Sequence, residues 1–576
     1  MPLSRRDRRP LHVVIATLLL LSLAPLLVMI INRDPSLAPF SDPGAIQGGR
    51  LLQMMHPRDR QLPWKQSHVD TALIQRDESP QQPQPSNEIQ SLDDQPKLPS
   101  TKSNNPAPVL KDTPGDFEPK QRAPERRGVG ENGVPVTLMT SERALYEQSY
   151  KDYGFNMVVS DRISLDRAVP DIRDPQCRYW HYPEKLPNTS VVVVFHNEGW
   201  STLIRTLRSV INMTPSHLLH EIVMVDDYSD KEHLKRQLDD YIVRPEFEGK
   251  VRLFRNSQRD GLIRSRISGA RRCKGEVVTF LDAHCECNVN WLPPLLAEIA
   301  VSSSPVMAGG LFAIDRAYFF ELGGYDPGLQ IWGGENFEIS FKIWMCGGKL
   351  KFVPCSRVGH IYRKGVPYSY PDLGTGVSVV QTNYMRVAEV WLDEYIDFFY
   401  ANQPELRGKP FGNITDQVRF RRQHCHKSFD WFMKEVAFDT LEKFPPPPVN
   451  KLWGEIRGLY SDMCLDTMGR DGSNGLLGAS HCHGLGGNQL FRLNVAGELV
   501  VHKYCIIPMM GQVLIKECGT VGDTTVWEFD EGTGQLRVKT TSDCLQLDIG
   551  SFQVTVQLCD INLSSQKFQI APPTPR

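Results

Sequence analysis

Three continuous β-branched runs, each ending in polar residues, constrain this chain more than any other feature. Ser190-Val191-Val192-Val193-Val194-Phe195 leads into polar residues and then an amphipathic stretch from Ser201 to Ile211. Ile222-Val223-Met224-Val225 repeats the pattern and ends in Asp226-Asp227, and Val277-Val278-Thr279-Phe280-Leu281 is a third run. Runs of this kind are strands buried on both faces, and strands alternating with helices make a parallel α/β sheet. Ligands of such sheets sit beyond the carboxyl ends of the strands, so chemistry is expected in the polar clusters that follow the runs. With 576 residues the chain has room for about three or four folding units. Its 65 Lys+Arg against 67 Asp+Glu give no electrostatic reason for a polyanionic partner, and nucleic acid is not expected.

The N-terminus sets the compartment. Arg5, Arg6, Arg8 and Arg9 precede Leu11 to Ile31, a stretch without a charged residue. At about 1.5 Å per residue that stretch covers a bilayer core of roughly 30 Å. Basic residues keep the short N-terminal side cytoplasmic, which predicts a tail over 1–10, a type II signal anchor over 11–31 and a luminal remainder. A cleaved signal peptide, with Pro25 breaking the apolar helix, is the alternative and leads to the same lumen. From Asn32 to Val134 the chain is rich in Pro, Gln, Ser, Asp and Lys, as in Ser79-Pro80-Gln81-Gln82-Pro83-Gln84-Pro85, and reads as a disordered stem. Thirteen Cys in a lumen imply disulfides with at least one thiol left over. Sequons begin at Asn188 and Asn413.

Asp282-Ala283-His284 directly follows the third strand. Residues i and i+2 of a strand share a face, so a carboxylate and an imidazole can grip one ion. Mixed oxygen and nitrogen ligands suit Mn²⁺, which can neutralise a diphosphate as it leaves. No G-x-x-x-x-G-K-[ST] loop occurs, so a P-loop phosphate cradle is not available.

Seven motifs follow in order: Phe195-His196-Asn197-Glu198, Val225-Asp226-Asp227, Arg259-Asp260-Gly261-Leu262-Ile263-Arg264, Phe280-Leu281-Asp282-Ala283-His284-Cys285-Glu286, Met307-Ala308-Gly309-Gly310-Leu311-Phe312, Ile331-Trp332-Gly333-Gly334-Glu335-Asn336 and Val358-Gly359-His360. Together they closely resemble the polypeptide N-acetylgalactosaminyltransferases, Golgi enzymes that start mucin-type O-glycosylation. The resemblance runs from Tyr153 nearly to the end. Tyr179-Trp180-His181-Tyr182 and Gly328-Leu329-Gln330-Ile331-Trp332 look most like the glycopeptide-preferring type.

The resemblance implies a single-pass Golgi membrane protein with an α/β, GT-A nucleotide-sugar transferase domain over 135–440. It implies transfer of GalNAc from UDP-GalNAc to Ser or Thr hydroxyls of peptides or glycopeptides, with retention of configuration. Asp282, His284 and His360 match the family's Mn²⁺ ligands. His196 matches a position at the uracil, Asp226 a contact to the uridine-ribose part, Arg259 a nucleotide contact, and Gly309 lies in a motif of the substrate cleft. Trp332 and Glu335 match the sugar and acceptor site, with Glu335 near the reacting hydroxyl. Arg363 and Tyr368 match a mobile loop that folds over UDP, and such a closure excludes competing water. Retention by double displacement would need a carboxylate behind the anomeric carbon, and none can be nominated, so the resemblance favours front-face attack.

One departure stands out. A helix expected over Trp291 to Val301 leads through Ser302-Ser303-Ser304-Pro305 straight into Met307-Ala308-Gly309-Gly310. Family members carry several dozen more residues here, including a strand. Losing a strand from a sheet exposes unpaired backbone groups and apolar helix faces. The alternative reading is therefore an impaired splice or gene-model variant that acts only as a GalNAc-binding lectin.

Phe444-Pro445-Pro446-Pro447-Pro448 marks a stiff linker over 441–452, after which helical patterns stop. Three units follow over 453–572, each with one Cys pair: Cys464 and Cys482, Cys505 and Cys518, Cys544 and Cys559. Such a repeat argues for a β-trefoil, and it resembles the ricin-type lectin domain of the same transferases. The first unit alone keeps the sugar-binding set Asp466, His483 and Asn488; unit two has Ile506-Ile507 after its cysteine and unit three has Gln546 in place of the aspartate. By the family pattern the remaining bridges join Cys177 to Cys355 and Cys346 to Cys425. Cys285-Glu286-Cys287 lacks a second pair at zinc spacing and is weak evidence for zinc.

Overall fold

The structure, a computed structural model, describes residues 107–118, 128–298, 305–363, 365, 368–470, 473–518 and 525–573. The anchor expected over 11–31 and most of the stem lie outside these residues. Among the described residues no helix is long and apolar enough to cross a membrane.

The three runs are strands β3 (Thr189–Phe195), β4 (Leu219–Asp226) and β6 (Val277–Asp282). With β5 (Val251–Arg255) and β8 (Phe312–Asp315) they form one sheet in the order β5-β4-β3-β6-β8. All pairings are parallel except β6 with β8. Alternation sends Val192, Val194, Val223 and Val225 into one core and Val191, Val193, Ile222 and Met224 into another. Helix α1 (Trp200–Met213) packs Leu203, Ile204 and Leu207 on the second face, and α2 (Leu262–Arg272) packs Ile263 and Ala270 on the first. Both faces are covered, which is why the runs are apolar throughout.

The chain enters the sheet at β3 and adds strands on either side, so the carboxyl ends of β3 and β6 flank a switch point, the place where sheets of this kind take their ligands. Two short strands deliver a distant segment to it. β7 (Cys285–Cys287) pairs antiparallel with β9 (Val358–His360), setting Cys285 opposite His360.

The shortened connection falls on residues 299–304, outside the described residues. The helix expected from Trp291 to Val301 is seen over Leu292–Glu298. The anticipated exposure of backbone does not occur at β6, because β8 pairs with it from Val277↔Asp315 to Phe280↔Phe312. Ile314 and Phe319 are buried in the same core as Phe280.

Two expectations are corrected at the boundaries. The stem expected through 134 contains placed segments. β1 (Val109–Leu110) pairs with β2 (Trp180–His181), and Arg173 donates to both carboxylate oxygens of Asp116 at 2.9 and 2.6 Å. Glu131 is buried, accepting from the Ala168 amide at 2.7 Å. These are single long-range polar contacts with no local apolar period, so pattern reading passes over them. At the other end, the linker expected over 441–452 already includes the first residues of β10 (Asn450–Gly458).

The C-terminal unit is all β around one core that includes Ile456, Leu465, Phe491, Trp527, Leu545 and Phe568. Disulfides join Cys464 to Cys482, Cys505 to Cys518 and Cys544 to Cys559, and in the α/β unit Cys177 to Cys355 and Cys346 to Cys425. Cys273, Cys285 and Cys287 are free and buried.

Candidate functional site

Asp282 ends β6 and His284 follows two residues later, while β9 brings His360 alongside; one ligand atom from each lies within 4.8 Å of the others. The Ile361 amide donates to the His284 carbonyl at 3.1 Å, extending the pairing that holds the two histidines together. His360 Nε2 is 3.1 Å from Asp282 Oδ2, and its Nδ1 is buried without a hydrogen-bond partner among the described residues.

Groups behind this trio fix its orientation. Glu198, fully buried, receives His284 Nδ1 at 3.0 Å and Arg363 Nη2 at 2.8 Å on Oε2. Its Oε1 accepts from the Gly199 amide at 3.0 Å and the Thr202 hydroxyl at 3.2 Å. Burial pushes this carboxyl up, but His284 and Arg363 outweigh it and hold it down at about 2. Asp282 feels the same contest: burial raises it, and His360 with Arg266 brings it below the ordinary range. The guanidinium of Arg266, 1% exposed, donates to Asp282 Oδ1 at 2.9 Å and to the carbonyls of Gly309 and Gly310 at 2.7 and 3.0 Å. A Cβ at Gly310 would sit 2.9 Å from Asp282 Oδ2, so a side chain there would press on that oxygen.

A second cluster forms at the ends of β3 and β4. The Asp227 carboxylate is buried and accepts from the amides of Asp260 and Gly261 at 2.8 and 2.9 Å and from Asn256 at 2.9 Å. It also pairs with Arg259, whose guanidinium lies 5.3 Å from the centroid of the Tyr368 ring. His196 Nδ1 is 2.9 Å from the Asp227 carbonyl. Burial, reinforced by Arg259, lowers the His196 imidazole to about 4, so it is neutral at ordinary pH. Asp226 turns the other way, accepting from the Ser229 amide at 2.8 Å and lying 3.3 Å from Arg255 Nε.

The Gly-rich turn docks on this cluster. Gly261 bridges to Ile331, and the Leu262 amide donates to the Ile331 carbonyl at 2.9 Å. Asn383 Nδ2 holds the turn through the carbonyls of Gln330, Trp332 and Gly333. Glu335 begins helix α3 (Glu335–Met345) and accepts from the Gly333 amide at 2.8 Å. It is fully buried, and burial pushes its carboxyl up despite the attraction of Arg266.

The structure therefore gathers Asp282, His284 and His360 at one point, with Arg363 tied to it through Glu198. His196, Arg259 and Tyr368 gather around Asp227. Glu198, Arg266 and Asp227 are residues that sequence reasoning did not single out, although Glu198 and Asp227 sit inside quoted motifs and Arg266 lies two residues beyond one.

In the trefoil, Asp466 is buried at the end of β11 (Met463–Asp466). Its Oδ1 accepts from Asn488 Nδ2 at 2.6 Å and its Oδ2 from Gln489 Nε2 at 2.9 Å, while His483 Nε2 is 3.1 Å from Asn488 Oδ1. In unit three Gln546 faces Gln566 at 3.2 Å, an amide pair without a carboxylate.

Comparison with known proteins agrees with this architecture. The family described as glycosyl transferase family 2 matches residues 190–338, and the ricin-type beta-trefoil lectin domain matches 452–568. N-acetylgalactosaminyltransferase 7 of Mus musculus is 44% identical over 525 residues, covering 79% of this chain and 79% of that protein. The chain belongs to the N-acetylgalactosaminyltransferase family. The Drosophila melanogaster N-acetylgalactosaminyltransferase 7 is 42% identical, covering 81% of this chain and 89% of the relative. A crystal structure described as GalNAc-T7 with UDP, GalNAc and Mn2+ superposes with a TM-score of 0.77 at 42% identity, covering 83% of this chain and 99% of that one. Both relatives and the solved structure carry the number seven in their names. The 525 aligned positions exceed the 79% of this 576-residue chain that they cover, so the alignment carries gaps on this chain's side.

Proposed function

We propose that this chain is a retaining, Mn²⁺-dependent transferase that moves GalNAc from UDP-GalNAc to Ser or Thr hydroxyls of peptides or glycopeptides. The observation that carries the reading is the convergence of Asp282, His284 and His360 within 4.8 Å at the carboxyl end of a parallel sheet. The donor set fits a borderline-hard divalent ion, with one carboxylate, two imidazoles and a buried, unpartnered His360 Nδ1. Manganese held by these three residues would supply positive charge to the departing diphosphate.

The other residues prepare the ground for that charge. Glu198 keeps the His284 Nδ1 proton, so that Nε2 offers its lone pair. Arg266 occupies one oxygen of Asp282 and leaves the other to face the site. Arg259 with Tyr368, and Arg363 beside Glu198, offer cations and a ring for the nucleotide side. The neutral His196 suits a base edge better than a phosphate. Trp332 and Glu335, on the turn docked to Gly261, are assigned to the sugar and acceptor. A buried carboxyl with raised affinity for its proton can hold a hydroxyl in place without competing for it. Asp466, His483 and Asn488 are assigned to a GalNAc already present on the acceptor. The enzyme is further proposed to sit in the Golgi membrane as a single-pass type II protein with its catalytic unit in the lumen.

The test is transfer to a Thr-containing glycopeptide by the luminal chain with Mn²⁺, after chelation, and after Mn²⁺ is restored. Transfer that survives chelation, or that never occurs, overturns the reading.

A further inference from the structure

Two sugar sites on two domains of one chain can act on a single acceptor only if the domains keep a fixed relation. A second binding event gains from the first when the spacing matches the span and loses that gain when the joint is loose. In this chain one buried cationic side chain reaches across the joint. Arg492 of β12 (Phe491–Asn494) is 6% exposed. Its Nη1 leaves the lectin unit and donates to the Ala401 carbonyl at 3.2 Å and to Asn402 Oδ1 at 3.0 Å, at the end of helix α4 (Ile396–Asn402). Its Nη2 returns to the His502 carbonyl of its own domain. The Ala401 carbonyl takes a second lectin donor, Asn450 Nδ2, at 2.7 Å. Nearby Glu405, on the catalytic side, has a buried Oε2 without a hydrogen-bond partner, and its charge attracts the same guanidinium.

A planar, multi-donor cation buried between two domains is costly unless every donor is used, and it then fixes direction as well as distance. We propose that Arg492 is a positioning residue that holds the lectin unit in one orientation on the catalytic unit, and so sets which spacing between an existing GalNAc and the acceptor hydroxyl is preferred. This rests on the transferase reading above.

The experiment compares the full luminal chain with Arg492→Ala and, as a milder break of the same contact, Asn402→Ala. Acceptors are one naked peptide and a series of glycopeptides carrying a single GalNAc at increasing distance from one Thr. The unmodified chain is expected to show a preferred spacing that Asp466→Ala abolishes. Both joint variants should keep GalNAc binding and the naked-peptide rate, while the rate at the preferred spacing drops on the order of tenfold and the profile flattens. A spacing profile that both variants leave unchanged overturns the proposal, as does a flattened profile accompanied by loss of GalNAc binding. Absence of transfer to every acceptor by the unmodified chain would instead overturn the transferase reading.

Discussion

Glu198 Oε2 lies 3.0 Å from His284 Nδ1 and takes a second bond from Arg363 at 2.8 Å. One buried carboxylate thus orients an imidazole of the Asp282–His284–His360 trio and holds the first cation of the loop beyond β9. A partner of this kind behind a metal-binding histidine raises its basicity and fixes its tautomer. Glu198→Gln is expected to weaken Mn²⁺ binding about 10–100-fold with the fold retained. Free Mn²⁺ measured by electron paramagnetic resonance checks this, and unchanged affinity would contradict it.

Asp282→Asn keeps the shape of the side chain and its contact with Arg266 but removes the anionic ligand. Mn²⁺-dependent transfer should fall by at least about a hundredfold, with GalNAc binding by the trefoil unaffected. Activity assays and a lectin pull-down on the same preparation separate the two effects.

His196 gives a prediction in pH. Its folded value is lowered to about 4 by burial and Arg259, against about 6.5 for a free imidazole. The folded state therefore holds fewer protons than the unfolded state between those values, and the stability this residue contributes is complete above about 6.5 and is lost as pH falls toward 4. Across pH 5.5 to about 8 the ring stays neutral. A ring-proton titration by NMR should locate the transition near 4, and a transition at or above 6.5 would contradict the buried, neutral assignment.

How much of this was open to sequence reasoning depends on how local the signal was. The β-branched runs announce β3, β4 and β6 because both faces of each strand are buried. The i, i+2 spacing of Asp282 and His284 states their shared face. His360 is a different case, because its arrival depends on β9 pairing with β7, a contact across more than seventy residues with no local period. Asp226 and Asp227 are adjacent, and alternation sends them to different partners, so the sequence alone does not say which one gathers Arg259 and the Gly261 amide. The placed segment around Asp116 was missed for the same reason, since one ion pair to Arg173 leaves no pattern.

The Asp326–Arg386 pair supports the turn that carries Trp332. Arg386 donates to both oxygens of Asp326 at 2.8 and 3.0 Å, and both side chains are buried. Removing one partner of such a pair costs about 3–5 kcal/mol. Asp326→Ala is expected to lower the melting temperature by several degrees and to raise KM for the acceptor more than for UDP-GalNAc. Calorimetry and steady-state kinetics test both halves.

In the trefoil, Gln489→Ala should weaken GalNAc binding although the glutamine is wholly buried, because its amide holds Asp466 Oδ2 at 2.9 Å. Binding of free GalNAc followed by NMR is the check, and Gln546→Ala in unit three should leave it unchanged.

Gly310 has a consequence for anyone seeking to alter what this enzyme accepts. Even a single methyl group there would press on the oxygen that Asp282 presents to the cleft. Substitutions meant to reshape the surroundings of Asp282, His284 and His360 are therefore better placed on the turn that carries Trp332 than at Gly310.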